Sequence, residues 1–438
     1  MPDLERTTLS TSRLLDFCSE KELIAQTGHA IDDWPLVVVK ELVDNGLDAC
    51  EEANVAPEIS VRADGTGITV IDNGPGIPGD TINGVLDFSV RVSSREAYVA
   101  PDRGAQGNAL KTIVAMPYVL DGHRGRVDIS AGGVRHNIDF TVDPIRQEPK
   151  VEIGQYQSDV KTGSAITVEW PDLACSILAD AKGRFLQIAD DYAWINPHLT
   201  LTLDWFGERR RTEATDTAWP SWRPSDPTSA HWYTEQHLER LIAGYVAHDQ
   251  DRGETRTVRA FVSEFRGLSG SAKQKVVLDA TGLARANLTD LCNSAGVDGD
   301  IVSRLLKAMQ ANSKPVKPKQ LGVIGKDHFR CRFEAVGCEM ESFNYRKVED
   351  TTDGVPWIVE TAFGWCPELK TRRLVTGVNW SPGIVNPFRQ LGRFGESLDS
   401  VLAEKRASQN EPIILVLHMS CPRVEYTDRG KSSVVVRS

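Results

Sequence analysis

The sequence predicts an α/β protein of more than one domain: a helix-covered sheet, an all-helical segment, then a second strand-rich α/β region. Three observations carry that prediction. Over roughly the first 225 residues, apolar alternation of strand period is interleaved with runs of helical period. From residue 230 to about 313 the period is helical almost throughout, and the Pro- and Ser-bearing stretches "TAWPSWRPSDPTSAHW" and "SKPVKPKQLGVIGK" bracket that segment. At 438 residues the chain exceeds what one compact core supports. The expected divisions are therefore 1–225, 226–315 and 316–438.

The elements follow in order. A polar arm leads into a short helix, "RLLDFCSEKELIAQTG", and then a long helix, "WPLVVVKELVDNGLDACEE". Two strands come next in "EISVRADGTGITVIDNGPGIP", where Ile59, Val61, Ile68, Val70 and Ile71 alternate around a turn at Asp64-Gly65. After a mixed polar segment, the glycine-bearing "PDRGAQGNALKTIVAMPYVL" opens another helix from Ala109. Strands are expected in "GRVDISAGGVRHNIDFTV", "GSAITVEW" and "LTLTLDWFG", with a helix in "ILADAKGRFLQIADDYAWI". The central segment gives helices in "TEQHLERLIAGYV", "VRAFVSEF", "GSAKQKVVLDAT", "NLTDLCNSA" and "GDIVSRLLKAMQAN".

Composition removes several classes. No apolar run reaches the ~18 residues of a membrane span, and "MPDLERTT" lacks the basic and apolar regions of a signal peptide. The expectation is a cytoplasmic chain, nucleoid-associated if prokaryotic, with no membrane partner. Eight cysteines lie scattered, without a C-x-x-C pair or zinc spacing, so reduced and mostly buried thiols are expected. A net charge of -11 excludes an all-over basic nucleic-acid binder but permits a local basic groove. "GERRRTE" (Arg209, Arg210, Arg211) and "KPVKPK" (Lys314, Lys317, Lys319) are short clusters of that sign.

Three segments carry chemistry. On the long helix, Glu41, Asn45 and Asp48 fall at i, i+4 and i+7 and share one stripe, opposite the apolar Leu36, Val39, Val43, Leu47 and Cys50. Oxygen side chains aligned in this way suit Mg²⁺, which usually remains bridged to nucleotide phosphates. After the second strand come Asp72, Gly74 and Gly76, a carboxylate able to accept from an exocyclic amine and glycines that admit a flat ligand. In "RGAQGNALKTI", Gly104 and Gly107 can offer backbone N–H groups to phosphate at a helix N-terminus, and Lys111 can add a charge. The spacing fits neither the P-loop nor the Rossmann fingerprint. Each motif alone is ordinary turn or surface chemistry; their order and spacing are specific.

E-x-x-x-N-x-x-D-A, D-x-G-x-G and a glycine lid with a helix behind it, about 30 residues apart, resemble the nucleotide site of the GHKL superfamily. "KELVDNGLDA", "SSRE", "RGAQGNALKT", "INPHLTLTL", the helical insert, "KPKQLGVIGKD", "VTGVNWSP" and "LHMSCPRVEYTDRGKSS" further resemble, in that order, the B subunit of topoisomerase VI, the type IIB enzyme. The resemblance runs over about residues 25 to 435. It implies a GHKL α/β-sandwich ATPase domain, a helix-two-turns-helix-like insert and a transducer-like domain. ATP and Mg²⁺ are the implied cofactors. DNA, an A-type DNA-cleaving subunit and a second copy joined by ATP are the implied partners.

Carried over by position, the resemblance makes Glu41 the general base for the attacking water and Asn45 the Mg²⁺ ligand. Asp72 reads adenine, with Gly74 and Gly76 shaping the base pocket and Ser164 (or Thr167) backing the aspartate. Ser94, Arg103, Gly104, Ala105, Gln106, Gly107, Asn108 and Lys111 belong to the nucleotide-binding set, with Asp48 bracing the pocket. Lys431, in "YTDRGKSS", matches a transducer lysine that reaches the γ-phosphate. Two departures stand out. Ala109 occupies a position where many relatives have a further lid glycine. The family continues past the lysine motif into a stalk that grips the A-type subunit, whereas this sequence stops at Ser438, which leaves open a truncated chain or a relative that works without the stalk. A stand-alone clamp in DNA repair, chromosome maintenance or phage defence is the competing expectation.

Overall fold

The computed structural model of the chain describes residues 17–86, 97–103, 109–143, 148–293, 296–390, 396–427 and 433–435. Strands β1 (Glu58–Ala63), β2 (Gly67–Ile71), β3 (Gly125–Ala131), β4 (Val134–Asp143), β5 (Glu148–Gln157), β6 (Ser164–Glu169), β7 (Thr200–Trp205) and β8 (Glu208–Thr212) form one sheet in the order β5-β4-β3-β6-β2-β1-β7-β8. β1 runs parallel to β7, with Ile59 beside Leu201, and the other neighbours are antiparallel. Alternate side chains of β3 and β6 are buried, as a sheet covered on one face requires.

The first helices are α1 (Glu20–Thr27), α2 (Trp34–Glu52), α3 (Gly79–Val85), α4 (Ala109–Asp121), α5 (Cys175–Asp180) and α6 (Lys182–Ile195). α2, α4 and α6 share one apolar cluster with the sheet, and Leu36, Val39, Val43, Leu47 and Cys50 are all buried. Gly46 sits in the middle of α2, where glycine costs about 1 kcal/mol relative to alanine. A Cβ there would lie 3.2 Å from the Asp72 Cβ and 3.3 Å from the Ile59 Cδ1. The glycine lets α2 settle closely on the end of β2.

The central segment contains α7 (Glu235–Asp251), α8 (Val258–Ser263), α9 (Ser271–Thr281) and α10 (Gly299–Ala311), with the two-residue strands β9 (Cys292–Asn293) and β10 (Gly296–Val297). After α11 (Lys326–Ala335), a second sheet holds β11 (Glu339–Thr352), β12 (Val355–Trp365), β13 (Arg373–Val378), β14 (Ser381–Pro382) and β15 (Ile413–Ser420), ordered β11-β12-β15-β13-β14, with α12 (Leu398–Glu404) beside it. The central helices and the second sheet bury one continuous apolar cluster.

α6 is shared by both parts. Helix C-termini leave carbonyls without intrahelical partners. Here they are taken by α11: Arg332 Nε donates to the Ala193 carbonyl at 3.0 Å, and His328 Nε2 pairs with the Trp194 carbonyl at 2.9 Å. Across the same junction, Arg373 of β13 pairs with Asp190 and Asp191 at 2.7 Å each.

Several expectations are corrected. The expected helix "ILADAKGRFLQIADDYAWI" is two helices, which meet at Ala181. "NLTDLCNSA" is a 3-10 turn, Leu288–Leu291, capped by Asn287 and followed by β9. "GERRRTE", for which no element was expected, contains the edge strand β8, and its three arginines are exposed. Cys338 and Cys366 form a disulfide across the β11–β12 pair, where scattered spacing suggested thiols; Cys175 and Cys331 are exposed. Among the described residues, no helix is long and apolar enough to cross a membrane.

Burial favours the neutral form of two histidines. His418 Nε2 accepts the Trp380 N–H at 3.0 Å, and His328 Nε2 can only donate to the Trp194 carbonyl, leaving Nδ1 for the Thr215 hydroxyl. Burial pushes both imidazoles down to about 3. A lowered folded value means that only the unfolded chain takes up these protons as pH falls below about 6.5, so stability rises with pH across the interval from about 3 to 6.5. The thermal midpoint is expected to drop as pH is lowered from about 7 to about 5, with a shallower slope in His328→Gln/His418→Gln. A slope unchanged by the double variant would contradict this assignment.

Candidate nucleotide site

One cavity of about 520 Å³ opens where α2 meets the ends of β2 and β6. Glu41, Asn45, Asp48, Asp72, Gly76 and Ser164 all line it, so residues from separate motifs converge. α2 delivers the first three: its apolar side is fixed against the sheet, which turns the polar stripe outward. Asn45 is exposed, and its carboxamide is available to the cavity. Mg²⁺ commonly takes one or two protein oxygens and fills its remaining positions with phosphate and water. The donor set of Asn45 with Glu41 nearby fits that pattern.

Asp72 is oriented by backbone. Its Oδ1 accepts from the N–H of Gly74 at 2.8 Å and of Ser164 at 3.3 Å. Burial raises its carboxyl above the usual range, opposed by those two donors and by the Ser164 side chain. Gly163, which no motif in the sequence singles out, makes this geometry possible. Its φ is 72°, its N–H donates to the Gly74 carbonyl at 2.8 Å, and a Cβ there would fall 1.9 Å from the Asp72 carbonyl oxygen. Thr167, the alternative partner for Asp72, instead pairs its hydroxyl with Thr69 at 3.0 Å.

Arg103 is buried and spends its donors on the protein itself. Nη1 reaches Asp48 at 2.8 Å and Glu51 at 2.7 Å, while Nη2 reaches Glu51 at 2.6 Å and the Asn196 side-chain carbonyl oxygen at 2.8 Å. His198 Nε2 lies 2.8 Å from Glu51. Burial alone would raise Glu51, but Arg103 and His198 together hold its carboxyl below the usual range. Burial and the neighbouring Glu51 keep Asp48 above that range against the pull of Arg103. Asp48 and Arg103 therefore brace the cavity wall that they line.

A second buried group lies one turn earlier. Asp44 accepts from Lys40 Nζ, from the Ser381 hydroxyl and from the Tyr192 hydroxyl, each at 2.7 Å. Burial works against the Lys40 ammonium, but Asp44 and Glu41 outweigh it and raise its value. Sequence reasoning missed Lys40, Asp44, Glu51, Tyr192, Asn196, His198 and Ser381. A partial signal was present: the family-like strings "INPHLTLTL" and "VTGVNWSP" contain Asn196, His198 and Ser381, although neither string assigns them individual roles.

Of the remaining candidates, Lys111 is buried on α4 and is not among the cavity-lining side chains, whereas Ala109, Leu110 and Thr112 are. Gly74 stands behind Asp72, bonded to it and to Gly163. Ser94, Gly104, Ala105, Gln106, Gly107, Asn108 and Lys431 lie outside the described residues. Near the last of these, Tyr426 lines the cavity, and Thr427 N–H donates to the Ser433 carbonyl at 2.9 Å.

Residues 32–174 match the family of histidine kinase-, DNA gyrase B-, and HSP90-like ATPases. The chain therefore carries a GHKL-type ATPase domain. Over 91% of its length it is similar to the B subunits of type 2 DNA topoisomerase 6, at 31% identity to the Methanosarcina acetivorans protein and 25% to that of Archaeoglobus fulgidus. It spans 64% and 66% of those two relatives. Among solved structures, the B-subunit of the DNA gyrase from Myxococcus xanthus aligns with 97% of this chain and 88% of its own, at 14% identity and a TM-score of 0.40.

Removing a buried cation strands its partners. Arg103→Met is expected to destabilise the fold by about 3–5 kcal/mol, measured as a shift in the urea midpoint. A change below about 1 kcal/mol would mean that Asp48 and Glu51 are satisfied without it.

Proposed function

We propose that the chain is an ATP-binding and ATP-hydrolysing clamp subunit resembling the B subunit of type IIB DNA topoisomerase. In this reading it works in the cytoplasm with a separate A-type, DNA-cleaving subunit. The observation that carries the reading is the single cavity lined by Glu41, Asn45, Asp72 and Ser164, on a chain similar to topoisomerase 6 B subunits over most of its length.

Asp72 accepts from the adenine amine, with Gly76 admitting the flat base. Asn45 would hold Mg²⁺ with the phosphate oxygens, and the ion would supply charge neutralisation on the polyphosphate. Glu41 accepts a proton from water as its oxygen bonds to the γ-phosphorus; the bond from that phosphorus to the bridging oxygen breaks, and ADP leaves. The lid Gly104–Asn108 cradles phosphate, and Lys431 adds a cation as the site closes. ATP binding joins two copies, and turnover releases them. Arg209–Arg211 and Lys314, Lys317 and Lys319 are exposed and are the available DNA contacts.

Glu41→Ala is expected to retain ATP binding and lose turnover by at least about 10²-fold. Equal turnover in variant and wild type would remove Glu41 from the mechanism. The competing reading is a stand-alone clamp in repair, chromosome maintenance or phage defence. Co-expression separates the two: capture of an A-type subunit and ATP-dependent relaxation of supercoiled DNA support the first. ATP-dependent dimerisation without any such partner supports the second.

A further inference from the structure

The strand residues that flank the β13–β14 turn, Val378, Ser381 and Pro382, line the cavity. Val378 pairs with Ser381, and the two residues between them, Asn379 and Trp380, have φ of 49° and 61°. Two consecutive left-handed residues make a tight hairpin turn normally given to Asn-Gly; a tryptophan there is strained. The surroundings over-determine it. Asn379 exchanges two hydrogen bonds with the Cys421 backbone, at 2.8 and 3.0 Å. Trp380 is buried, its N–H held by His418 at 3.0 Å and its carbonyl by Asn196 at 2.9 Å.

What this strained turn delivers is the Ser381 hydroxyl, on the far side of a 337-residue separation, to Asp44. That hydroxyl donates to Asp44 Oδ2 and accepts from Lys40, so both of its roles are used within the protein. The other oxygen, Oδ1, takes the Tyr192 hydroxyl from α6. One carboxylate thus joins α2, α6 and the second sheet. It lies between the two reactive residues of α2: Asp44 is three residues after Glu41 and directly precedes Asn45.

We propose that Ser381 is a positioning residue for ATP turnover, acting through Asp44 to fix the rotation of α2 at Glu41 and Asn45. The proposal rests on the ATPase reading above. It makes the β13–β14 turn the element through which movement of the second sheet alters hydrolysis, because losing one hydroxyl contact loosens the helix face that holds the attacking water. A displacement of about 1 Å at a reacting group can cost about 10²-fold in rate.

The test uses the whole chain, with ATP turnover, binding of a fluorescent ATP analogue and the thermal midpoint measured on each variant. Ser381→Ala is expected to lower kcat about 10- to 100-fold while the analogue Kd stays within about threefold, the pattern of an interaction needed only at the transition state. Ser381→Thr, which keeps the hydroxyl, restores turnover. Tyr192→Phe, which removes only the other hydroxyl on Asp44, lowers kcat in the same way and serves if Ser381→Ala does not fold. Wild-type kcat in either variant overturns the proposal. So does a loss of kcat in step with Kd and thermal midpoint that Ser381→Thr does not rescue, since that pattern is general destabilisation. A wild-type chain without ATP turnover overturns the ATPase reading itself, a distinct result.

Discussion

A column of ionisable side chains runs along the inner side of α2, and the protein is arranged to satisfy it. Lys40, Asp44, Asp48 and Glu51 follow one another at intervals of four, four and three, so they share a face beside the cavity-facing Glu41 and Asn45. A charge taken out of water costs several kcal/mol unless opposite charge and hydrogen bonds replace the solvent. Lys40 and Asp44 meet part of that demand within the helix. The remainder must come from elsewhere: Arg103 before α4, Asn196 and His198 between α6 and β7, Tyr192 on α6, and Ser381 on β14. Those elements are far apart in sequence, and the helix can bury its charges only when all are in place. The cavity-lining Glu41 and Asn45 are thus positioned by the paired charges beside them, of which Lys40 and Asp48 reach the same cavity.

The same logic explains why α6 anchors both sheets. One side packs with α2 on the first sheet, and its last turn presents carbonyls that a helix cannot satisfy alone. Arg332 and His328 of α11 take them, and a cation at a helix C-terminus is favoured by the helix dipole as well. His328 contributes as a neutral group and Arg332 as a charged one. The junction thus combines one neutral and one charged hydrogen-bond donor on the final turn, with Arg373 paired to Asp190 and Asp191 a short way back along the helix.

Much of this was legible in the sequence. Strand alternation placed β1, β2, β3, β4, β6 and β7, because half-buried strands print their period directly. The apolar stripe of α2 was correctly read as core, and Glu41, Asn45, Asp72, Gly76 and Ser164 do meet at one cavity. The exceptions have physical reasons. β8 is an exposed edge strand of charged residues, so it carries no burial pattern. α5 and α6 meet within one amphipathic period that continues across the break. The buried charges Lys40, Asp44 and Glu51 went unread, since a helical wheel records side-chain type and not what lies opposite. Glu51 reads as burial only when Arg103, 52 residues away, is already known to face it.

Polar joints also behave differently from apolar ones when parts move. Two apolar surfaces can slide by an ångström and retain most of their contact, because dispersion is spread over many weak pairs. A carboxylate held by three donors cannot: each bond weakens steeply once distance and angle depart from their narrow optimum. Buried ion pairs contribute little net stability, and their best-attested contribution is to registry. At Asp44, registry is between the second sheet and the helix that carries Glu41 and Asn45. A shift of the β13–β14 turn would break the contact of Ser381 outright, and with it the bonds from Cys421, His418 and Asn196 that hold Asn379 and Trp380 in their strained conformation. The joint at Asp44 therefore fixes the register of the second sheet against α2 more sharply than apolar contact alone could.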